Sequence, residues 1–309
     1  MADNPKPNLN LPDPDYDRDI AKYLRVYKSS FQQIVDRIVQ LSTYGNGSEV
    51  TRLQMESILS QISFILRELD VETKAWVEAT INQAFTDGQA LTILALGDAR
   101  TMQEAASLAA FSMLSKETIE AIVADTYQDL LLATQNTERK VKSMVREVVG
   151  DQMRAKALEA TGRVTTSKAI VETLTKKGLS DRVKAEGFIG IVDKKGRKWN
   201  LATYADMVVR TKLTQSHIEG TRTEAIERGV DLAIISNNGA KDACRHYEGM
   251  VISMNGLTPG YPTYAELRRS NKIFHPNCKH KVTPIRDIWL LPEAVRAKHE
   301  RQLAALKNN

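Results

Sequence analysis

The sequence is short of cysteine, of proline over most of its length, and of long uncharged runs, and each shortage excludes something. Only Cys244 and Cys278 occur in 309 residues. A disulfide-stapled scaffold is therefore excluded, and reduced thiols in a cytosolic setting are expected. No uncharged run reaches the roughly 20 residues that a membrane span requires; runs such as 88–97 and 105–115 are near ten. The opening MADNPKPNLNLPDPDYD carries no apolar stretch of signal-peptide type, so no secretory leader is expected. Between Asp15 and Thr258 no proline occurs, which permits long helices. Four of the nine prolines stand at positions 5, 7, 12 and 14, so residues 1–17 read as an extended arm.

Several catalytic patterns are missing as well. The chain has no G-x-S-x-G, no G-x-x-x-x-G-K-[ST], no H-E-x-x-H and no Glu-x-Glu. A nucleophile elbow, a phosphate-cradling loop, a zincin helix and an ADP-ribosyl-transferring site are thereby excluded.

What is present is ordinary globular composition, 42% hydrophobic and 26% charged, on a chain long enough for one large or two ordinary domains. The net charge of +5 hides an asymmetry. Residues 1–160 hold 17 Lys/Arg against 23 Asp/Glu, and residues 161–309 hold 26 against 15. An acidic part suited to self-association or to a partner is thus joined to a basic part suited to an anionic partner such as nucleic acid. Two solvated surfaces of opposite sign remain the plainer alternative.

Apolar residues recur three or four apart through Ile20, Leu24, Tyr27, Phe31, Ile34, Ile38 and Leu41, which predicts a helix over 18–41. Gly45-Asn46-Gly47 predicts a turn. Met55, Ile58, Ile62, Ile65 and Leu69 predict a second helix, breaking near Asp70 and restarting through Trp76 to Phe85. Gly88 and Gly97 bracket a short apolar segment, and Thr101-x-x-Glu104 reads as a capping box. A long helical pattern runs from Ser115 to Val148, kinked or divided at Thr134 to Glu138. These stripes read as core and helix seams.

Beyond Gly150 the texture changes. Ser167 to Lys177 predicts a short helix stopped by Gly178. Phe188 to Val192 and Arg197-Lys198-Trp199 predict two short strands around a tight turn. A helix is predicted over 201–228 with Gly229 stopping it, then a buried strand over 230–236. The fold class is therefore α+β: a mostly α N-terminal half with long helices, then a smaller mixed domain. The expected division is an arm at 1–17, a helical domain at 18–160, a basic α+β domain at 161–290 and a C-terminal helical tail at 291–309.

The chemistry-bearing residues cluster. Both cysteines and three of the five histidines fall in 244–280, as Asp242-Ala243-Cys244-Arg245-His246 and His275-Pro276-Asn277-Cys278-Lys279-His280. Thiolate and imidazole match the borderline softness of Zn²⁺, which suits two such groups joined by a loop. The expected ligands are Cys244, His275, Cys278 and His280, with His246 as a substitute for one of them. Four protein ligands would make the site closed and structural, whereas three with an open position would make it catalytic. The alternative is two buried cysteines beside hydrogen-bonded loop histidines. Lys194, Lys195, Arg197 and Lys198 stand beside Trp199 at the predicted hairpin tip, a pattern that can meet phosphates and stack on a base, or simply be an exposed turn. Arg268, Arg269, Lys272, Lys279 and Lys281 would extend a positive face if they share one.

Several of these stretches together resemble one family. Gly187-Phe188 through Asp193-Lys194-Lys195-Gly196-Arg197-Lys198-Trp199, then Thr203 to Thr211, Gly229-Val230-Asp231-Leu232, Cys244 five residues before Gly249, and His275 to His280 are similar to the tailed-phage minor capsid protein 2 family. The likeness covers roughly residues 185–286, and the helical first half is similar to what that family and the related Mu F-like head morphogenesis proteins carry. Many relatives have His where this chain has Cys244, and Gln where it has Glu248. A His-to-Cys exchange keeps a zinc ligand but would disrupt a general-base role.

The resemblance implies a virion component, made in the host cytoplasm and held in few copies inside the head near the portal vertex. Expected partners are the portal, other head proteins, packaged double-stranded DNA bound without sequence preference, and further copies of the chain; no membrane is expected. Zn²⁺ is the expected structural cofactor. Non-enzymatic head assembly or DNA delivery is the expected role, against a virion-carried metal-dependent nuclease or toxin-like enzyme. A cellular DNA-binding regulator is a weaker third reading, lacking a recognisable helix-turn-helix.

Overall fold

The computed structural model describes residues 7–9, 11, 14–43, 52–109, 112–160, 187 and 189–307. The predicted turn at 45–47, the helix at 167–177 with Gly178, and Phe188 lie outside them. In chain order the elements are α1 (Asp17–Thr43), α2 (Arg52–Ala95), α3 (Met102–Leu108), α4 (Met113–Ala160), β1 (Ile189–Val192), β2 (Lys198–Asn200) and α5 (Leu201–Glu227), followed by β3 (Leu232–Ile235), β4 (Val251–Ser253), α6 (Tyr264–Ser270), β5 (Val282–Pro284) and α7 (Glu293–Lys307). The architecture is α+β, with long helices first and a small sheet near the C-terminus.

Two predicted helix breaks do not occur. α2 runs through Asp70 and Gly88 as one helix of 44 residues. Gly88 is there because another helix needs the space: a Cβ on it would overlap the carbonyl of His217 in α5. α4 continues through Thr134 to Glu138 for 48 residues. Thr134 and Thr137 are buried and donate their hydroxyls to the carbonyls of Leu130 and Ala133, so neither needs to leave the helix to be satisfied. Thr101 caps α3 by accepting from the Glu104 N–H. Glu104, however, reaches back to the N–H of Arg100 rather than to that of Thr101.

The chain forms two compact units, each assembled from separated stretches. One comprises Asp17–Trp76 and Tyr127–Asp206. In it Tyr23 stacks on Trp76 with centroids 4.2 Å apart and donates to the buried Thr73 hydroxyl at 3.1 Å. Ser63 of α2 donates to Glu138 of α4, and Lys140 donates to the carbonyl of Ile189 in the β1–β2 hairpin. The other unit comprises Met1–Tyr16, Val77–Thr126 and Met207–Asn309. There α2 and α5 cross closely, with Ser216 donating to the Ile81 carbonyl at 2.9 Å.

The sheet of this second unit has the order β4–β3–β5, with β3 antiparallel to both neighbours. β3 is the central strand and reads as a short apolar run because both its faces are covered. Leu96, Ile218, Ala233, Ile235, Ile252 and Val282 are among the buried residues on one side, and Ile234, Val251, Ile285 and Leu291 cluster on the other. The first of these clusters includes Cys244 and Cys278, so the thiols are part of the core that the sheet closes.

Candidate metal centre

Three short segments bring the ligands together. Cys244 sits on a 3₁₀ turn, Ala243–His246, capped by Asp242, whose carboxylate accepts from the Cys244 N–H at 3.0 Å. Cys278 closes a loop that begins where α6 ends. Three non-glycine residues of that loop, Asn271, Phe274 and Asn277, have left-handed backbone with φ of 56°, 57° and 64°. Asparagine tolerates this region, but phenylalanine rarely does, and such strain persists only where the surroundings fix it. His280 lies at the entrance to β5. There the Lys281 carbonyl accepts from the Ser236 N–H, and the Lys281 N–H donates to the Ser236 hydroxyl, holding the end of β3.

The donor atoms run as a chain. His275 Nε2 is 3.2 Å from Cys244 Sγ, which is 3.8 Å from Cys278 Sγ, which is 3.3 Å from His280 Nδ1. A tetrahedral zinc ion needs edges of about 3.8 Å between sulfurs and about 3.5 Å between sulfur and nitrogen, from bond lengths of about 2.3 and 2.0–2.1 Å. The donors of Cys244, Cys278 and His280 all lie within 4.8 Å of one another, as do those of Asp242, Cys244 and His275. The Cys/His triad is therefore of a kind and size that zinc accepts. Cys244 belongs to both groups, and the four expected ligands do not form one such group among the described residues. His246, the substitute, is exposed and accepts from Arg245 instead.

Each imidazole near sulfur has its other nitrogen held. His280 Nε2 is 3.1 Å from Glu248 Oε1, which also accepts from the N–H groups of Asn238 and Ala240 at 2.8 and 2.9 Å. His275 Nδ1 is 2.9 Å from the carbonyl oxygen of Pro276. A carboxylate or carbonyl can only accept, which places a ring hydrogen on that side. The sulfur-facing Nδ1 of His280 is then a lone pair in the neutral ring and a donor to Cys278 in the protonated one, whereas His275 Nε2 also meets the Asp242 carboxylate at 3.3 Å. Orientation of this kind is what metal-binding histidines show.

The electrostatics agree. Burial, with Cys278 and Asp242 nearby, pushes the Cys244 thiol well above its ordinary range. For Cys278 burial also opposes ionisation, but hydrogen bonds from His280 and from the Phe274 backbone outweigh it and hold that thiol low. Burial likewise disfavours charge on His280, yet Cys278 and Glu248 raise its affinity for a proton. Burial raises the Glu248 carboxyl, and the two backbone N–H groups with His280 more than reverse this. One thiolate is readily held beside His280; a second needs a cation to offset it, as a coordinated metal supplies.

Beside the cluster lies a cavity of about 190 Å³ lined by Thr211, Gln215, Tyr264, Arg268, His275 and Cys278, among others. The remaining histidines are structural. His299 accepts from the Val251 N–H, and His217 lies 3.4 Å from the Tyr16 hydroxyl, which also donates to Asp87.

The basic hairpin forms as β1 and β2. Its turn is organised by Asp193, which accepts from the N–H groups of Lys195 and Arg197, the Arg197 side chain and the Trp199 indole. These bonds, the Arg197 backbone bond foremost, hold the Asp193 carboxyl far below its ordinary range. Arg197 and Trp199 are thus tied to Asp193, while Lys194, Lys195 and Lys198 stand exposed. Of the further cations proposed for a positive face, Lys281 is buried.

The family model for phage minor capsid protein 2 matches residues 17–305. The chain belongs to that family. The match takes in the helical half as well as the stretches around the cluster, so this minor capsid protein is a virion component with a head-structural role. Neither the curated proteins nor the solved structures contain a match to it. No helix among the described residues is long and apolar enough to cross a membrane.

Glu248 and Asp242 are the supporting residues that sequence reading did not assign. Asp242 had a local signal, an N-cap residue two positions before Cys244. Glu248 had none, because its partners come together only when the 238–240 segment meets β5.

Proposed function

We propose that this minor capsid protein lies inside the head near the portal vertex, where it contacts portal or other head proteins and packaged DNA. Zn²⁺ held by Cys244, Cys278 and His280, with His275 completing the set, crosslinks the loop-rich C-terminal region. The family match over residues 17–305 carries the reading. The excess of 26 Lys/Arg over 15 Asp/Glu in residues 161–309 supports contact with DNA through its phosphates. The acidic helical half offers the surfaces for protein partners.

The test is binding of the full chain to unrelated duplexes across a salt series. The reading expects similar affinity for each sequence and a steep linear fall of log K with log salt. Binding that ignores salt, or none at all, contradicts the DNA contact. The cluster also permits a second reading, because a cavity of about 190 Å³ borders Cys278 and His275, and a metal held by the Cys244, Cys278 and His280 triad alone would keep one open position. Plasmid cutting with added Zn²⁺, Mg²⁺ or Mn²⁺ that disappears in His280→Ala would establish a nuclease instead.

A further inference from the structure

We infer that the metal clasp itself, rather than the hairpin at 193–199, presents the principal phosphate-binding surface for double-stranded DNA. This rests on the DNA contact proposed above and locates it. Between Asn238 and Lys281 the sequence holds seven Lys/Arg and three Asp/Glu. All three carboxylates accept from backbone N–H groups; Glu248 is buried, and Asp242 and Glu266 are exposed. Asp242 accepts from the Cys244 N–H and meets His275 at 3.3 Å. Glu248 is buried on His280 and two backbone N–H groups. Glu266 completes the capping box of α6 with the Thr263 N–H.

Six of the seven cations are exposed, against those two exposed carboxylates; Lys281 alone of the seven is buried. Lys241, Arg245, Lys272 and Lys279 are exposed, and none pairs with a carboxylate among the described residues. Each is fixed by the cluster. Lys241 precedes Asp242, Arg245 follows Cys244, and Lys279 lies between Cys278 and His280. The Lys272 carbonyl lies 3.7 Å from Cys244 Sγ. Arg268 and Arg269, at the end of α6, are exposed on the same segment, with Arg268 reaching Glu219 only at 4.0 Å.

Zinc does not neutralise this surface. Two thiolates balance the ion's two charges and the histidines add none, so the surrounding cations keep their field. They come from three separated segments joined at the ligands, which spaces them over a surface rather than along one helix. That arrangement suits phosphate contacts. In the hairpin, by contrast, Arg197 is already bonded to Asp193 at 2.6 Å.

The experiment uses the full chain and fluorescence anisotropy on a labelled 40-bp duplex over a salt series. One variant combines Lys241→Ala, Arg245→Ala, Lys272→Ala and Lys279→Ala; the other combines Lys194→Ala, Lys195→Ala and Lys198→Ala. Circular dichroism and thermal melting verify that each is folded, and the four single substitutions replace the combined variant if it is not. The clasp variant is expected to lower the slope of log K against log salt by about 3–4, at about 0.9 per phosphate contact. The hairpin variant is expected to change it by less than about 1. Wild-type binding that survives the clasp substitutions, or that the hairpin substitutions abolish, overturns this inference and leaves the DNA reading standing. Failure of the wild-type chain to bind overturns both.

Discussion

His280 Nε2 and Glu248 Oε1 lie 3.1 Å apart, with both side chains almost wholly buried. A buried carboxylate on the far side of a histidine whose near side faces a thiol fixes both the tautomer and the orientation of the ring. Losing such a support lowers metal affinity about 10–100-fold. Glu248→Ala is expected to show that loss in competition titration with a chromophoric chelator. Glu248→Gln, which keeps an oxygen that can accept from the ring and from the Asn238 and Ala240 N–H groups, is expected to lose less. Equal losses would mean that charge matters more than orientation.

Gly88 and Gly220 define the crossing of α2 and α5. A Cβ on Gly88 would overlap the His217 carbonyl, and one on Gly220 the Phe85 carbonyl. Both obstacles are backbone and cannot rotate away. Gly88→Ala and Gly220→Ala should each destabilise by about 1–3 kcal/mol, the usual range for overpacking, seen as a lower midpoint in denaturant. Unchanged midpoints would mean that the helices are farther apart in solution.

Asp70 predicts a pH dependence. Burial raises its carboxyl to about 6 from 3.8, with Glu138 adding to the rise and the Thr134 hydroxyl opposing it. The folded state then binds this proton more tightly than the unfolded chain, so stability falls as pH rises from about 4 to about 6. Partial exposure limits the effect to roughly 1–2 kcal/mol. Asp70→Asn should be more stable than wild type at pH 7 and should flatten this limb of the profile, measured by chemical denaturation at several pH values. A variant equally or less stable at pH 7 contradicts the assignment.

The lengths of α2 and α4 show where sequence reading stopped short. Asp70, Gly88 and the Thr134 to Glu138 stretch look like breakers locally, and each is overridden by tertiary structure. Asp70 is half-buried, Gly88 admits a neighbouring backbone, and the threonines satisfy themselves against the preceding turn. The hairpin and α5 were legible because Asp193-Lys194-Lys195-Gly196 and Gly229 are local signals; Gly196 and Gly229 have φ of 76° and 68°. At the cluster, the residue types and their clustering pointed to the ligands. The order of contacts depends on long-range register and could not be read: Cys244 at the hub, and His275 shared with Asp242.

Thr263 and Glu266 cap α6 reciprocally, and Arg268 and Arg269 lie on that helix. Thr263→Ala should cost about 1 kcal/mol, measured by thermal unfolding of the metal-loaded chain, without changing metal content. Loss of metal together with stability would show that α6 and the cluster fold as one unit.

The proposed zinc site joins Cys244, Cys278 and His280, with His275, around a single ion. Elemental analysis by mass spectrometry of the purified full chain tests it most directly, alongside Cys278→Ser. Close to one zinc per wild-type chain is expected, with a near-complete loss in the variant. A folded wild-type protein without zinc, whose two thiols react at once with a thiol reagent, would contradict it.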